Sequence, residues 1–506
     1  MSAYEYLVRF SEPLTPTSWN YIASTHGRST AGGDTPASRH VPPTLAAPPT
    51  FQLSIFDGIE PVLNPRGSIG GVVLLDPKGV LDNLLFGVLD GGILELRRGA
   101  VGALYSTFTT VATFTTAGML PAHNAKEIRL HNLARLLETA ALHDSRYGGT
   151  GGADGDATLA GIIKPYGIGR LFNVTPVLVV ATKRIYQLSD SAIWQVNAVK
   201  EGGYPLAFGT NRATFADLDA NAPAAGAFDV CLAAGFIRLG SSPSLPITVD
   251  FIGDTQPAAP YLTRGDIARR IVTRAGTALS VGQVDSAALA ALNAAKSADC
   301  GFYWDRETTK AAALSEVMAG CLGTWFVNLN GALVLGYLSA PVTSPVKTHT
   351  FGTQTGLPSM EIVQPPRWKT SVSYQRNYMV LDRSRLAGAV SDADAQLLAQ
   401  DAQWKSEETA TTRVKYPTSF EKRLFSGLWS GSDAQIEATA EQSLFSSPRE
   451  RWRIPIYEDP FVLASYLGQR IGIAGYSRYS WNNPHTRILV AVEWGSSMIP
   501  TATLWG

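Results

Sequence analysis

Residues 104–116 read LYSTFTTVATFTT, a run dense in Thr, Phe and Val. β-Branched and aromatic side chains suit a pleated, half-buried surface, so the run predicts a strand. Working outward, residues 93–98 (ILELRR) predict a second strand. Residues 51–56 (FQLSIF) alternate apolar and polar positions, the period of a half-buried strand, and end at the turn pair Asp57-Gly58. Residues 4–11 alternate more loosely, and KEIRL at 126–130 predicts one strand more. At 132–142 (NLARLLETAAL) the apolar spacing changes to 133, 136, 137 and 140, which predicts a helix. Beyond a Gly-rich loop at 148–161, residues 176–189 (PVLVVATKRIYQLS) predict two strands joined by a polar turn, and 193–199 and 204–208 continue the β pattern. Many short strands with turn signals between them over the first 250 residues point to an all-β sandwich or barrel. Residues 27–50 stand apart: rich in Gly, Ser, Thr and Pro, they predict a long loop or arm.

The pattern shifts near 255–265. Thr263 can cap a helix over 264–275, with Gly276 as its stop, and 286–296 and 309–322 predict two more helices. Asn330-Gly331, between 324–329 and 332–338, signals a hairpin with a type I′ turn. Pro341 and Pro345 mark a boundary. The last block predicts strands near 368–376, 411–420, 451–457, 469–476, 486–495 and 501–505, interrupted by two helical insertions that Ser391 and Ser432 can open. The expected class is therefore β-rich, multidomain α+β. Its blocks are 1–165 (with the 27–50 arm), 166–255, 256–345 containing the helices, and 346–506.

Charge and chemistry narrow the function classes. Lys+Arg and Asp+Glu are 42 each in 506 residues, so no net field attracts nucleic acid or anionic lipid. Charged residues are 17% against a usual value of about 25%, which predicts a surface that must be buried against other copies or other proteins. Cys231, Cys300 and Cys321 are odd in number and widely spaced, which excludes a disulfide framework and predicts reduced core residues. No secretory signal and no run of about 18 apolar residues is evident, so no membrane span is expected and folding is expected in a cytoplasm.

No stretch carries a complete catalytic pattern. The 148–161 loop lacks GxxxxGK[ST] and GxGxxG and predicts a mobile connector rather than a phosphate site. Asp154-Gly155-Asp156 lacks the remaining calcium ligands. The histidines (His26, His40, His123, His131, His143, His349, His485) form no HExxH or HxxxH. His143-Asp144 is the one adjacent His–carboxylate pair, expected to be a solvated helix end. Glu407-Glu408 would suit a glycosidase only if both faced one cleft, whereas neighbours on a strand point apart. Trp429 and Trp481 could stack on sugars, though packing is the commoner use of tryptophan. Basic residues cluster at Arg97-Arg98, at Arg264 with Arg269, Arg270 and Arg274, and at Arg449, Arg451 and Arg453, the last three on one face of a strand with Trp452 opposite. Such an arginine row could line a channel or pair across an interface, so Arg451→Glu is expected to hinder assembly more than folding. No catalytic, cofactor-binding or metal-binding residue is assigned, and no enzyme activity or cofactor is expected.

Four stretches together resemble the tail hub (baseplate hub) proteins of siphophages and of gene transfer agents. They are DPKGVLDNLLFGVLDGGILELRRG at 76–99; the run from Tyr147-Gly-Gly-Thr-Gly-Gly152 through Gly161-Ile-Ile-Lys164-Pro165 to Phe172-Asn173-Val174-Thr175-Pro176, leading to Ile185-Tyr186-Gln187; AGFIRLGSSPSLPITVD at 234–250; and the closing Thr503-Leu504-Trp505-Gly506. The resemblance implies two tail-tube-like β-barrel domains, at 1–165 and 346–506, around a helix-containing middle. It implies a homotrimer closing the distal end of a non-contractile tail, seated on a distal tail protein ring. The tape measure protein would occupy the channel, and a central fibre or receptor-binding protein would sit below. A virion location at the tail tip or baseplate, a part in genome ejection, and no specific nucleic-acid partner follow. The alternatives are another tail-tip or fibre-attachment protein, or a β-scaffold glycan-binding or glycan-hydrolysing protein.

Overall fold

The computed structural model describes residues 4–11, 21–56, 66–86, 89–274, 279–340, 344–478, 485–495 and 499–506. Asp57-Gly58, Gly276, Pro341 and Trp481 lie outside the described residues.

Residues 104–116 do not start as strand. Tyr105–Thr107 is a single 3-10 turn, and the strand proper is Thr109–Ala122. The cause is packing: Tyr105 and Phe108 tuck into a small cluster with Leu7, Ile22 and Val41, which bends the chain before it can pair. The strand then anchors an antiparallel sheet in the order Tyr21–Ser24, Tyr4–Phe10, Ile93–Ala100, Thr109–Ala122, Ala125–His131, Val72–Leu75, Leu45–Ala47. The 27–50 segment is bound to this sheet of its own chain. Arg28 pairs with the buried Glu5 at 2.6 Å, the Pro42 carbonyl accepts from the Ser24 N–H at one edge, and Leu45 joins Leu74 at the other. Residues 42–45 thus bridge the two edges of the curled sheet.

The last block forms a second large sheet: Lys347–Thr350, Arg470–Ala474, His485–Trp494, Thr501–Trp505, Arg449–Pro455, Ser359–Gln364. Phe51–Ser54, from the first block, pairs with His485–Trp494 in the register Leu53↔Val492. One apolar cluster accordingly runs through both sheets, with Phe10, Leu94 and Phe114 on one side and Trp452, Ile454, Leu489 and Trp505 on the other. Residues around 411–420, expected as a strand, divide into a helix (Ala410–Lys415) and a strand (Phe420–Leu424). Val414, 84% exposed, is the lone aliphatic there and has no core to face, so local helical bonds win over pairing.

Between these sheets in sequence lie the middle blocks. One sheet (Tyr204–Pro205, Ile193–Glu201, Ile247–Gln256, Tyr166–Val174, Gly301–Trp304) faces another (Val177–Val180, Ile185–Gln187, Phe236–Leu239, Ala227–Cys231, Ala207–Asn211). Leu171, Val199, Val249 and Phe251 meet Leu188, Phe228, Val230 and Ile237 in a sandwich core. Gly301–Trp304 belongs to the third block in sequence yet pairs with Tyr166–Val174. Gly169, at φ +77°, permits this: a Cβ there would stand 2.0 Å from the Cys300 carbonyl oxygen. Helices Arg264–Thr273, Ser286–Ala295 and Lys310–Met318 share a core with Phe302 and Trp304 of that strand. Thr263 caps the first as expected, accepting from the Asp266 N–H, and Ser391 caps Asp392–Leu398. Helix Gly431–Phe445 is capped by Ser430 rather than Ser432.

The hairpin of Gly323–Val327 and Leu333–Tyr337 forms, but its turn is not type I′. Asn328 N–H bonds the Ala332 carbonyl, Gly331 N–H bonds Asn328, and Gly331 alone of the pair has positive φ (+78°). This is a three-residue loop closed by a left-handed glycine. The architecture is β-rich and multidomain. The chain exposes 21752 Å², more than the roughly 18,000 Å² of a compact monomer of this mass.

Candidate functional site

The structure does not assemble the catalytic candidates. Glu407 and Glu408 lie on Gln403–Glu408, an edge strand, and point apart. Glu407 accepts from Gln435 at 3.0 Å and Thr439 at 3.3 Å, whereas Glu408 pairs with Lys369 at 3.0 Å. Among the described residues, no group of three or more His, Cys, Asp or Glu is placed to hold a metal ion. Asp154 is occupied by Lys164 at 3.0 Å and Asp156 by its own Thr158. The three cysteines are buried and free, and burial pushes the Cys300 thiol up to about 12. Trp429 is half-buried against the cluster of Leu381, Leu386 and Leu398. No helix of the described residues is long and apolar enough to cross a membrane.

The basic groups are spent within the chain. Arg98 pairs with Asp459, and Arg97 bonds the Phe108 carbonyl while lying over Tyr105. Arg264 is buried and donates to the carbonyls of Val317 and Ala319 at the end of Lys310–Met318. Arg269, Arg270 and Arg274 pair with Asp266, Asp254 and Asp190. Arg449, Arg451 and Arg453 do share a face opposite the buried Trp452, but Arg451 and Arg453 hold Glu361 at 3.0 and 3.5 Å. Arg451→Glu would set two carboxylates together inside the subunit.

The run from Tyr147 to Pro176 has a different character. Its polar groups build joints. Asn173 is fully buried at φ +53°, a conformation Asn tolerates better than most residues. Its Nδ2 donates to Asn377 Oδ1 at 2.8 Å and to the Met379 carbonyl at 2.6 Å, and Asn377 in turn donates to the carbonyls of Leu398 and Gln400. One amide ladder thereby docks the 377–400 insertion of the last block on the sandwich. Farther up the run, Tyr166 donates to Asp254 at 2.8 Å, Arg270 pairs with the same carboxylate at 2.7 Å, and Arg274 stacks over the Tyr166 ring at 3.8 Å while gripping both oxygens of Asp190. Lys310, fully buried, donates to the Arg274 carbonyl at 2.7 Å.

His143 belongs to this joint, contrary to the expected solvated helix end. The preceding helix is only Ala134–Thr139, and the chain then pairs with the third block: Leu142 N–H bonds the Thr308 carbonyl and Lys310 N–H bonds Ala140. That pairing carries His143 inward to 5% exposure, its ring 6.0 Å from that of Tyr166. The sequence signal that could have revealed it is the apolar Leu142 beside it, whose burial required a partner strand.

A cleft of about 470 Å³ lies between helix Ser286–Ala295, the 323–337 hairpin and the last sheet. Its polar groups are engaged structurally: Asp285 caps the helix and Arg470 bonds Ser339.

No family model and no curated protein matches this chain. Among solved structures it is similar to a tail protein from Neisseria meningitidis MC58, at 9% identity and TM-score 0.36, covering 99% of this chain and 96% of that one. It is similar to a 43 kDa tail protein of prophage MuSo2 from Shewanella oneidensis, at 6% identity and TM-score 0.37, covering 99% and 96%. A prophage tail protein from Listeria monocytogenes EGD-e follows, at 8% identity and TM-score 0.34, covering 99% and 94%. All three are tail proteins by name.

Proposed function

We propose that this chain is a non-catalytic structural protein of a phage-type virion tail. In this reading it is the trimeric hub that closes a long non-contractile tail and links the distal tail protein ring and tape measure protein to a central fibre or receptor-binding protein. Residues 1–165 and 346–506 are its tube-like halves, and 166–255 and 256–345 are the hub blocks between them. The observation that carries the reading is architectural. The stretch most like tail hubs, Tyr147 to Pro176, supplies buried joints, through Tyr166 and Asn173, and presents no reactive group to a cleft. Surface character supports an assembly. The edge strand Ser359–Gln364 pairs on one side only among the described residues, and it exposes Met360 and Val363 next to the exposed Leu357. An open apolar strand edge is a hazard in a lone monomer and an asset in a closed ring.

The test is the mass and symmetry of the purified full chain. Light scattering is expected to give about 160 kDa, three times 54.1 kDa, and class averages in the electron microscope should show threefold symmetry. A monodisperse 54.1 kDa particle would overturn the trimer, and a sixfold ring would move the protein to another tail component.

A further inference from the structure

We propose that the joint around His143 is an acid-sensitive latch, which releases segment 140–147 from the middle blocks when His143 takes a proton. The geometry carries this. His143 is buried, and neither ring nitrogen has a hydrogen-bond partner among the described residues. The groups facing it come from every element packed at the joint. Its own segment supplies Asp144, Arg146 and Tyr147, and the strand Tyr166–Val174 supplies Tyr166. The loop beyond Ile185–Gln187 supplies Asp190 and the residue after Arg264–Thr273 supplies Arg274, while Asp254 of Ile247–Gln256 and its partner Arg270 stand at the Tyr166 hydroxyl. Lys310 begins the next helix, and Glu307 precedes it, paired with Arg146.

With His143 neutral the charges balance. Asp144, Asp190, Asp254 and Glu307 offset Arg146, Arg270, Arg274 and Lys310. The strongest acceptors are also taken, since Asp190 holds Arg274 through both oxygens and Asp254 holds Arg270 and the Tyr166 hydroxyl. A proton on His143 therefore adds a buried cation beside Arg274, and the carboxylate that acts on it most strongly, Asp190, is already held by Arg274. Burial, reinforced by Arg274 and Arg146, accordingly lowers the affinity of the folded ring for a proton, against the partial pull of Asp190 and Asp144. In the released segment the ring returns to an ordinary value near 6.5, so acid favours release. The segment is also held by backbone bonds to 308–310 and to 161–164, by Arg146 on Gly161 and Glu307, and by the buried Leu142 and Tyr147, so acid weakens one tie among several. The latch is independent of the tail reading, because it lies within one subunit.

Hydrogen exchange of the full chain, read by mass spectrometry at pH 7.5 and 5.5 and corrected for intrinsic rates, tests it. Peptides covering 140–147 and 264–274 are expected to lose protection by up to about tenfold at pH 5.5, ahead of the sandwich core, and His143→Phe and His143→Gln should each keep protection level over the same range. Equal protection of these peptides at both pH values in the unmodified chain would overturn the latch whether or not either variant folds. So would an unchanged loss in His143→Gln, since the proton would then be acting elsewhere.

Discussion

The two end sheets and the middle joints are held together by different physics. The ends share one apolar cluster in which Phe51 and Phe461 each lie against Trp494, at 5.8 and 5.5 Å, and Phe56 meets Trp505 edge-on at 5.8 Å. The joints add polar contacts to their apolar packing: Asn173 with Asn377, Arg274 with Asp190, Lys296 with Glu437 at 2.6 Å, and Arg376 with Glu316 at 2.7 Å. Apolar burial is non-directional and scales with area, so it fuses what it covers. Buried ion pairs and amides gain little net free energy yet penalise every wrong geometry, so they fix orientation and respond to protons. The contrast teaches that the end sheets share one apolar core, and that directional polar contacts are added where the middle elements meet their neighbours.

That contrast can be broken most directly at Trp452, 1% exposed at the centre of the shared cluster. Trp452→Ala is expected to cost about 4 kcal/mol and to loosen both end sheets together, read as a single shifted transition in urea. A loss confined to the last block would show that the ends are separate units. The next largest effect lies at the buried pair of Arg367 and Glu441, 2.9 Å apart, with Arg367 also 3.8 Å above the Phe445 ring. Arg367→Met strands a buried carboxylate and should cost about 3 kcal/mol, while adding Glu441→Leu should recover most of that loss. If the double variant is no better than the single, the pair is a net stabiliser and the contrast weakens.

Acid sharpens the comparison within the last sheet. His349 and His485 flank Ile473 in one row of the sheet, and burial holds them neutral, with folded values near 4 and 3. Their unfolded values lie near 6.5, so the unfolded chain binds protons first. Stability is full above pH 6.5 and falls as pH drops towards 4. Glu458, 3.5 Å from His349 and raised by burial, opposes this only near the carboxylate range. Urea midpoints from pH 7.5 to 5 should therefore fall in the unmodified chain and flatten in His349→Phe/His485→Phe. The smallest effect is at the surface: Glu407→Gln should change stability by no more than about 0.5 kcal/mol and leave oligomeric state unaltered, whereas a large change would give that edge a role it lacks in the fold.

Much of the local structure was legible in the residues. Thr263 and Ser391 announced their helices because a hydroxyl before an amphipathic run satisfies orphan N–H groups. The alternation of Arg449, Arg451 and Arg453 against Trp452 predicted the two faces of the strand, of which the Trp452 side is the buried one. Residues 411–420 misled because alternation without an apolar row carries no burial energy, and the turn at Asn330-Gly331 misled because dipeptide preference does not count loop residues. His143 departs from expectation for a related reason: residues 166, 190 and 274, distant from it in the chain, complete its environment.

The sequence by itself determined the β-rich class, the helical middle, the reduced cysteines and the low surface charge, because periodicity, capping and composition act over a few residues. Only the tertiary structure decided that 51–54 leaves its own block to join the last sheet, that 27–50 folds back on its own chain, and that each arginine cluster is consumed in internal pairs. The reason is range: which edge a strand finds, and which carboxylate a guanidinium finds, depend on contacts across hundreds of residues, where the free energy of the whole core outweighs any local preference.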